Sequence, residues 1–191
     1  MNADTVQKLN KKDLKESNFL NNDEYTLHKK IIIALEKGGS IISKNLLELS
    51  KLDLDFDYNK CLRFALNIGT QINILKYLNY GIPVITINNI LVSNDGTYIL
   101  DTNKYIDRLD SNNNILLTTP FLKNKDNPPE LKNINKIPNN TIYYTAAYYS
   151  LAKLCLLLLN TDLKSLYPTK LYFLLERCLR IDPRNRVFLY V

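Results

Sequence analysis

The chain has 191 residues, 46% of them apolar and 23% charged. That is about one domain's length, and the apolar share excludes a disordered, collagen-like or cystine-framework protein. The formal charge of +6 raises the question of a polyanionic partner, but the lysines alternate with Asp and Glu, no run reaches five basic residues, and no RNA-stacking aromatic motif is present, so nucleic acid is not the expected partner.

Residues 1–25 are polar and rich in Lys and Asn, and they read as a mobile leader before a domain over 26–191. They hold no apolar core after their charges, so no secretory signal is expected. Ile31-Ile32-Ile33-Ala34-Leu35 is β-branched and closed by Gly38-Gly39-Ser40, which favours a buried strand. Leu46-Leu47-Glu48-Leu49 suggests a short helix. From Asp57 to Tyr80 the apolar positions Leu62, Ala65, Ile68, Ile72, Leu75 and Leu78 recur every three or four residues, which predicts an amphipathic helix capped by Asp57 and ended by Gly81.

Beyond Gly81 the period changes. Ile90-Leu91-Val92 and Tyr98-Ile99-Leu100 flank Ser93-Asn94-Asp95-Gly96, a hairpin signal, because Asp-Gly tolerates the positive φ of a tight turn. Residues 102–141 are rich in Asn, Lys and Pro and read as one long loop. Tyr143 to Leu159 is apolar nearly all round, as in a buried helix, with Tyr143, Tyr144, Tyr148 and Tyr149 packing about it. Leu171, Leu174, Leu175, Cys178 and Leu179 mark a last helix that stops before Asp182-Pro183.

The remaining single-residue features are quiet. Cys61, Cys155 and Cys178 each fall inside an apolar helical pattern without zinc-site spacing, and are expected as buried, reduced thiols. The longest apolar stretch, Ala146 to Leu159, carries Lys153 and is shorter than the ~20 residues of a membrane span, so an intracellular, cytoplasmic chain without a membrane partner is expected. His28, the only histidine, has no carboxylate or cysteine arrangement beside it, and Ser40 and Ser150 lack a nucleophile-elbow context.

Strand, Gly-Gly-Ser, long helix, hairpin, long loop with Pro-Pro-Glu, buried helix and Asp-Pro helix form an informative order. It resembles the C-terminal lobe of a protein kinase, entered at the hinge, with most of the N-lobe missing. Residues 31–47 are similar to the hinge strand and the helix start after it. Asn89-Ile90-Leu91-Val92-Ser93-Asn94-Asp95-Gly96 is similar to the N-I-L-V-x-x-x-G run, and Asp101 falls at the DFG aspartate. Pro128-Pro129-Glu130 resembles the A-P-E element, and residues 148–152 (YYSLA) resemble the start of the central buried helix. Residues 174–186 (LLERCLRIDPRNR) match L-x-x-C-L-x-x-D-P-x-x-R. The resemblance spans roughly residues 28–191 and implies a mainly α domain with a small β-hairpin, a kinase C-lobe-like helical domain. It further implies a buried ion pair between Glu130 and Arg186, and makes Asn89 and Asp101 the metal and Mg-ATP positions, if any; both also read as caps of local turns.

The departures bear on chemistry. Phosphoryl transfer needs a phosphate cradle, a lysine, metal ligands and a base. No Gly-rich loop and no lysine strand with its partner glutamate precede the hinge. The H-R-D positions carry Ile82, Pro83 and Val84, and valine accepts no proton. Thr102-Asn103 replace the Phe-Gly of DFG, and Ala147 stands where the buried helix normally carries the aspartate that clamps the catalytic loop. The resemblance therefore implies a noncatalytic pseudokinase that binds a protein partner and uses no cofactor, with self-association open. The alternative is a divergent minimal serine/threonine protein kinase that retains Asn89 and Asp101 and uses Mg-ATP. The abundance of Asn, Ile and Lys fits an AT-rich genome, and truncated kinase-like chains of this sort suggest a viral or parasitic source.

Overall fold

The computed structural model describes residues 26, 30, 46–52, 55–102, 106–118, 126–132, 134 and 140–191. The leader, His28, the strand expected at residues 31–35 and Gly38-Gly39-Ser40 lie outside the described residues. The three-and-four period builds α1 (Tyr58–Tyr77). Its N-terminus is capped as expected, the Asp57 carboxylate accepting the Lys60 N–H at 2.7 Å. Cys61, Phe64, Ala65, Ile68, Ile72 and Leu75 turn one face into the core, each large side chain contributing roughly 1.5–3 kcal/mol. The helix ends earlier than Gly81. Leu78 is the C-cap, and Asn79 takes the left-handed conformation at φ 62, which asparagine tolerates better than most residues. Gly81 belongs instead to strand β2 (Tyr80–Gly81).

The expected hairpin forms β3 (Ile90–Val92) and β4 (Tyr98–Leu100), paired Ile90 to Leu100 and Val92 to Tyr98, with Gly96 at φ 78 in the turn. Its outer neighbour, β1 (Leu47–Glu48), pairs with β3. The helix expected at 46–49 is thus a two-residue strand followed by a 3-10 turn, Leu49–Lys51. The opposite edge of the sheet rests on α1, where two buried amides complete it. Gln71 donates to the Tyr98 carbonyl and accepts the Leu100 N–H, both at 2.8 Å, while Asn67 Oδ1 accepts the Tyr98 N–H at 3.3 Å. The side chain of Gln71 stands in for a missing strand.

The stretch expected as one long loop holds most of the difference. Within it lie β5 (Asp107–Arg108), which pairs with β2, then β6 (Asn114–Leu116) and a short α2 (Pro129–Lys132). β7 (Thr141–Tyr143) pairs with β6, so the buried helix starts later, as α3 (Ala146–Leu158). Ile115, Leu117, Leu131, Ile134 and Ile142 form a second small core there. The last helix, α4 (Lys170–Cys178), is capped by Thr169 and stops before Asp182-Pro183 as expected. α3 lies between α1 and α4. Its burial is not all round, since Leu157 is 67% exposed.

The mainly α expectation is therefore corrected. Among the described residues the chain is mixed α/β, with four α-helices and seven strands in one three-stranded and two two-stranded antiparallel sheets. Each strand has only two or three residues, fewer than the four to eight over which alternation can be recognised. The three cysteines are free and buried, as expected. Phe188 closes the main core by stacking on Tyr148 at 5.6 Å and seating its ring on Gly69, where an added Cβ would stand 2.0 Å from a ring carbon. No helix among the described residues is long and apolar enough to cross a membrane.

Candidate functional site

The segment between β2 and β3 carries the positions that the kinase resemblance makes catalytic. Ile82 and Ile85 are buried apolar anchors, so the segment is held by packing as well as by hydrogen bonds. Ser150, on α3, supplies the buried polar contact. Its Oγ accepts the Ile85 N–H at 3.0 Å and lies 3.1 Å from the Ala147 carbonyl, to which it donates. The Ala147 side chain offers no polar atom, and one helical turn later Ser150 ties the segment to α3. Sequence reading set Ser150 aside as a nucleophile and missed this contact.

Asn89 and Asp101 are brought together through the backbone, the Asp101 N–H donating to the Asn89 carbonyl at 2.7 Å. Asn89 is 3% exposed, and its Oδ1 accepts both the N–H and the hydroxyl of Thr86 at 2.8 Å. A carbonyl oxygen has two lone pairs, so the one acceptor atom of this side chain is saturated. Magnesium asks for near-ideal octahedral oxygen ligation, and Asn89 as placed does not fit as one of its ligands. Asp101 is buried at the end of β4. Among the described residues no three His, Cys, Asp or Glu side chains gather as a metal-holding group.

Val84 lines a groove of about 150 Å³. Val84, Ile85 and Ile87 form one wall and Leu154 and Leu157 the other, with Thr86 and Asn127 among the polar lining. Its two charged side chains, Lys153 and Asp126, approach each other at 3.9 Å. The groove has room for one large apolar side chain.

Glu130 and Arg186 meet beside Tyr149 of α3. Arg186 is 3% exposed, and its Nη1 and Nη2 donate to Glu130 Oε1 and Oε2 at 2.5 and 2.8 Å. The other donors go to the carbonyls of Arg180 (2.7 Å), Ile181 (3.1 Å) and Thr145 (3.5 Å). All five guanidinium N–H groups thus have acceptors, and the Tyr149 ring covers the cation at 5.0 Å. Burial pushes the Tyr149 phenol up, while Arg186 pulls the other way. Removing either partner of a pair this enclosed strands the other charge, at ~3–5 kcal/mol.

No protein-family model matches the chain, and a search of curated proteins gives no match.

Proposed function

We propose that the chain is a degenerate, noncatalytic relative of the C-terminal lobe of protein kinases that serves as a protein-binding module. The carrying observation is a contrast. The Glu130–Arg186 anchor is fully hydrogen-bonded, while the catalytic-base position holds Val84 on an apolar groove and the Asn89 oxygen is spent on Thr86. A site with no proton acceptor at the base position and no free metal-ligand oxygen on Asn89 lacks two of the parts that phosphoryl transfer needs. What it keeps is a shaped apolar recess, the feature on which an anchor side chain of a partner binds best.

Thermal melting with and without Mg-ATP tests the noncatalytic half. A ligand at about 100 times its dissociation constant stabilises by ~2.7 kcal/mol, and no such shift is expected for the wild type. A shift that disappears in Asn89→Ala/Asp101→Ala overturns the reading in favour of the divergent serine/threonine kinase. Selection from a displayed random-peptide library tests the binding half. Enriched peptides should carry a large apolar anchor and lose binding to Leu157→Asp; enrichment that ignores this substitution places the partner surface elsewhere and overturns the groove's role.

A further inference from the structure

The chain carries a formal charge of +6, and the fold gathers part of it beside exposed aromatic rings. The 3-10 turn Lys164–Leu166 leads into Tyr167, whose N–H donates to the Lys164 carbonyl at 3.1 Å. Residues three apart eclipse in a 3-10 turn, so Lys164 and Tyr167 share one side. On α4, Lys170, Phe173 and Arg177 follow i, i+3, i+7 spacing and form one stripe. The rings of Tyr167, Tyr172 and Phe173 meet edge to face, with centroids 5.2, 5.1 and 6.3 Å apart for the 167–172, 172–173 and 167–173 pairs.

These rings are not hidden: Tyr167 is 65% and Phe173 42% exposed, and Lys164 and Lys170 are exposed beside them. Of the nearby acids, Glu176 pairs with Arg180 at 3.8 Å, and Asp162 accepts the N–H and hydroxyl of Ser165 at 2.8 Å while keeping its negative charge beside Lys164. Lys170 and Arg177 stand about 10 Å apart along the helix axis, with an aromatic ring between them. Cation and ring alternate over the patch as phosphate and base alternate along a single strand.

We propose that this patch binds single-stranded nucleic acid without sequence preference. The faces of Tyr167 and Phe173 take bases, and Lys164, Lys170 and the Arg177 N–H groups not held by the Leu189 carbonyl (3.0 Å) meet phosphates. Every base has a π-face, so stacking is sequence-tolerant, and a positive surround tracks the backbone. An aromatic patch also suits a proline-rich peptide, but the flanking cations match a polyanion. The proposal rests on no part of the kinase resemblance.

Anisotropy of a labelled thymidine oligonucleotide of ~12 nucleotides, titrated with the full chain, tests it. From about 50 to 200 mM salt the log–log slope should be about −2, since each phosphate neutralised on a single strand contributes about −0.7. Tyr167→Leu and Phe173→Leu, both at exposed positions, should each weaken binding about five-fold or more at an unchanged melting temperature. Lys170→Gln should make the slope shallower by about 0.7. Three results overturn the proposal: no binding at about 50 mM salt, affinity unmoved by both ring substitutions, or a proline-rich peptide that saturates the patch where the oligonucleotide does not.

Discussion

Ser150 quiets a backbone group far from it in sequence, and Arg186 quiets one distant and two nearby. Ser150 serves one N–H 65 positions away, that of Ile85, and Arg186 serves three carbonyls as well as Glu130. Ser150→Ala leaves the buried Ile85 N–H without its acceptor, a loss of ~1–3 kcal/mol. The amide of Ile85 should then exchange with solvent faster while those of α1 keep their protection; a uniform rise across the chain would instead mean that the contact supports the whole fold. The Glu130–Arg186 pair was expected only through the resemblance of Pro128-Pro129-Glu130 and of the Asp182-Pro183 to Arg186 run to kinase motifs. Ser150 was not, because a hydroxyl's partner can be any backbone N–H, and sequence does not say which one lies within reach. The saturation of Asn89 by Thr86 was hidden for the same reason, although Thr86 lies only three residues away.

At the level of elements, legibility followed length. α1, 20 residues long, repeats its apolar period several times over, and α4 carries a full i to i+8 stripe. The three-residue strands β3 and β4 were still readable, because Asp95-Gly96 announces their turn and Gly96 takes the positive φ that this dipeptide permits. β5, β6 and β7 have no comparable mark: short strands in an Asn- and Pro-rich setting look like loop. Gln71 offers the sharpest test of how helix and sheet depend on each other. Gln71→Leu keeps the volume and apolar fit of α1 but orphans the Tyr98 carbonyl and the Leu100 N–H, and the urea midpoint should fall by the equivalent of ~2–4 kcal/mol. Gln71→Glu still accepts from Leu100 but cannot donate to Tyr98 while ionised, and its loss should be partly recovered at acid pH as the carboxyl protonates. Equal loss for both variants at every pH would show that packing, and not the two hydrogen bonds, holds β4.

For the molecule as a whole, the interior holds several groups that lose a proton in alkali. Burial pushes the Cys178 thiol up from 9.0 to about 12, and the Tyr144 phenol up from 10.0 to about 12. The Cys155 thiol and the Tyr148 phenol, both buried, are raised as well. Folded, these groups stay protonated; unfolded, they ionise near their ordinary values. The unfolded chain therefore releases protons first, and the stability they contribute is complete below about pH 9 and is lost as pH rises toward 12. Melting temperatures should be flat to about pH 8.5 and then drop steeply, and Cys178→Ala with Tyr144→Phe should soften the drop. A curve with the same steepness in that double variant would place the alkaline loss on the remaining buried groups, Cys155 and Tyr148.

The amides of Gln71 and Asn67 also decide how the folded chain meets its own kind. The outermost row of a sheet, left open, is a template on which another molecule can build, and such rows seed clumping and fibres. Here that row on β4 is occupied from within by side chains of a helix. A chain in which position 71 can no longer fill it would be less stable and also stickier, losing solubility before it visibly unfolds.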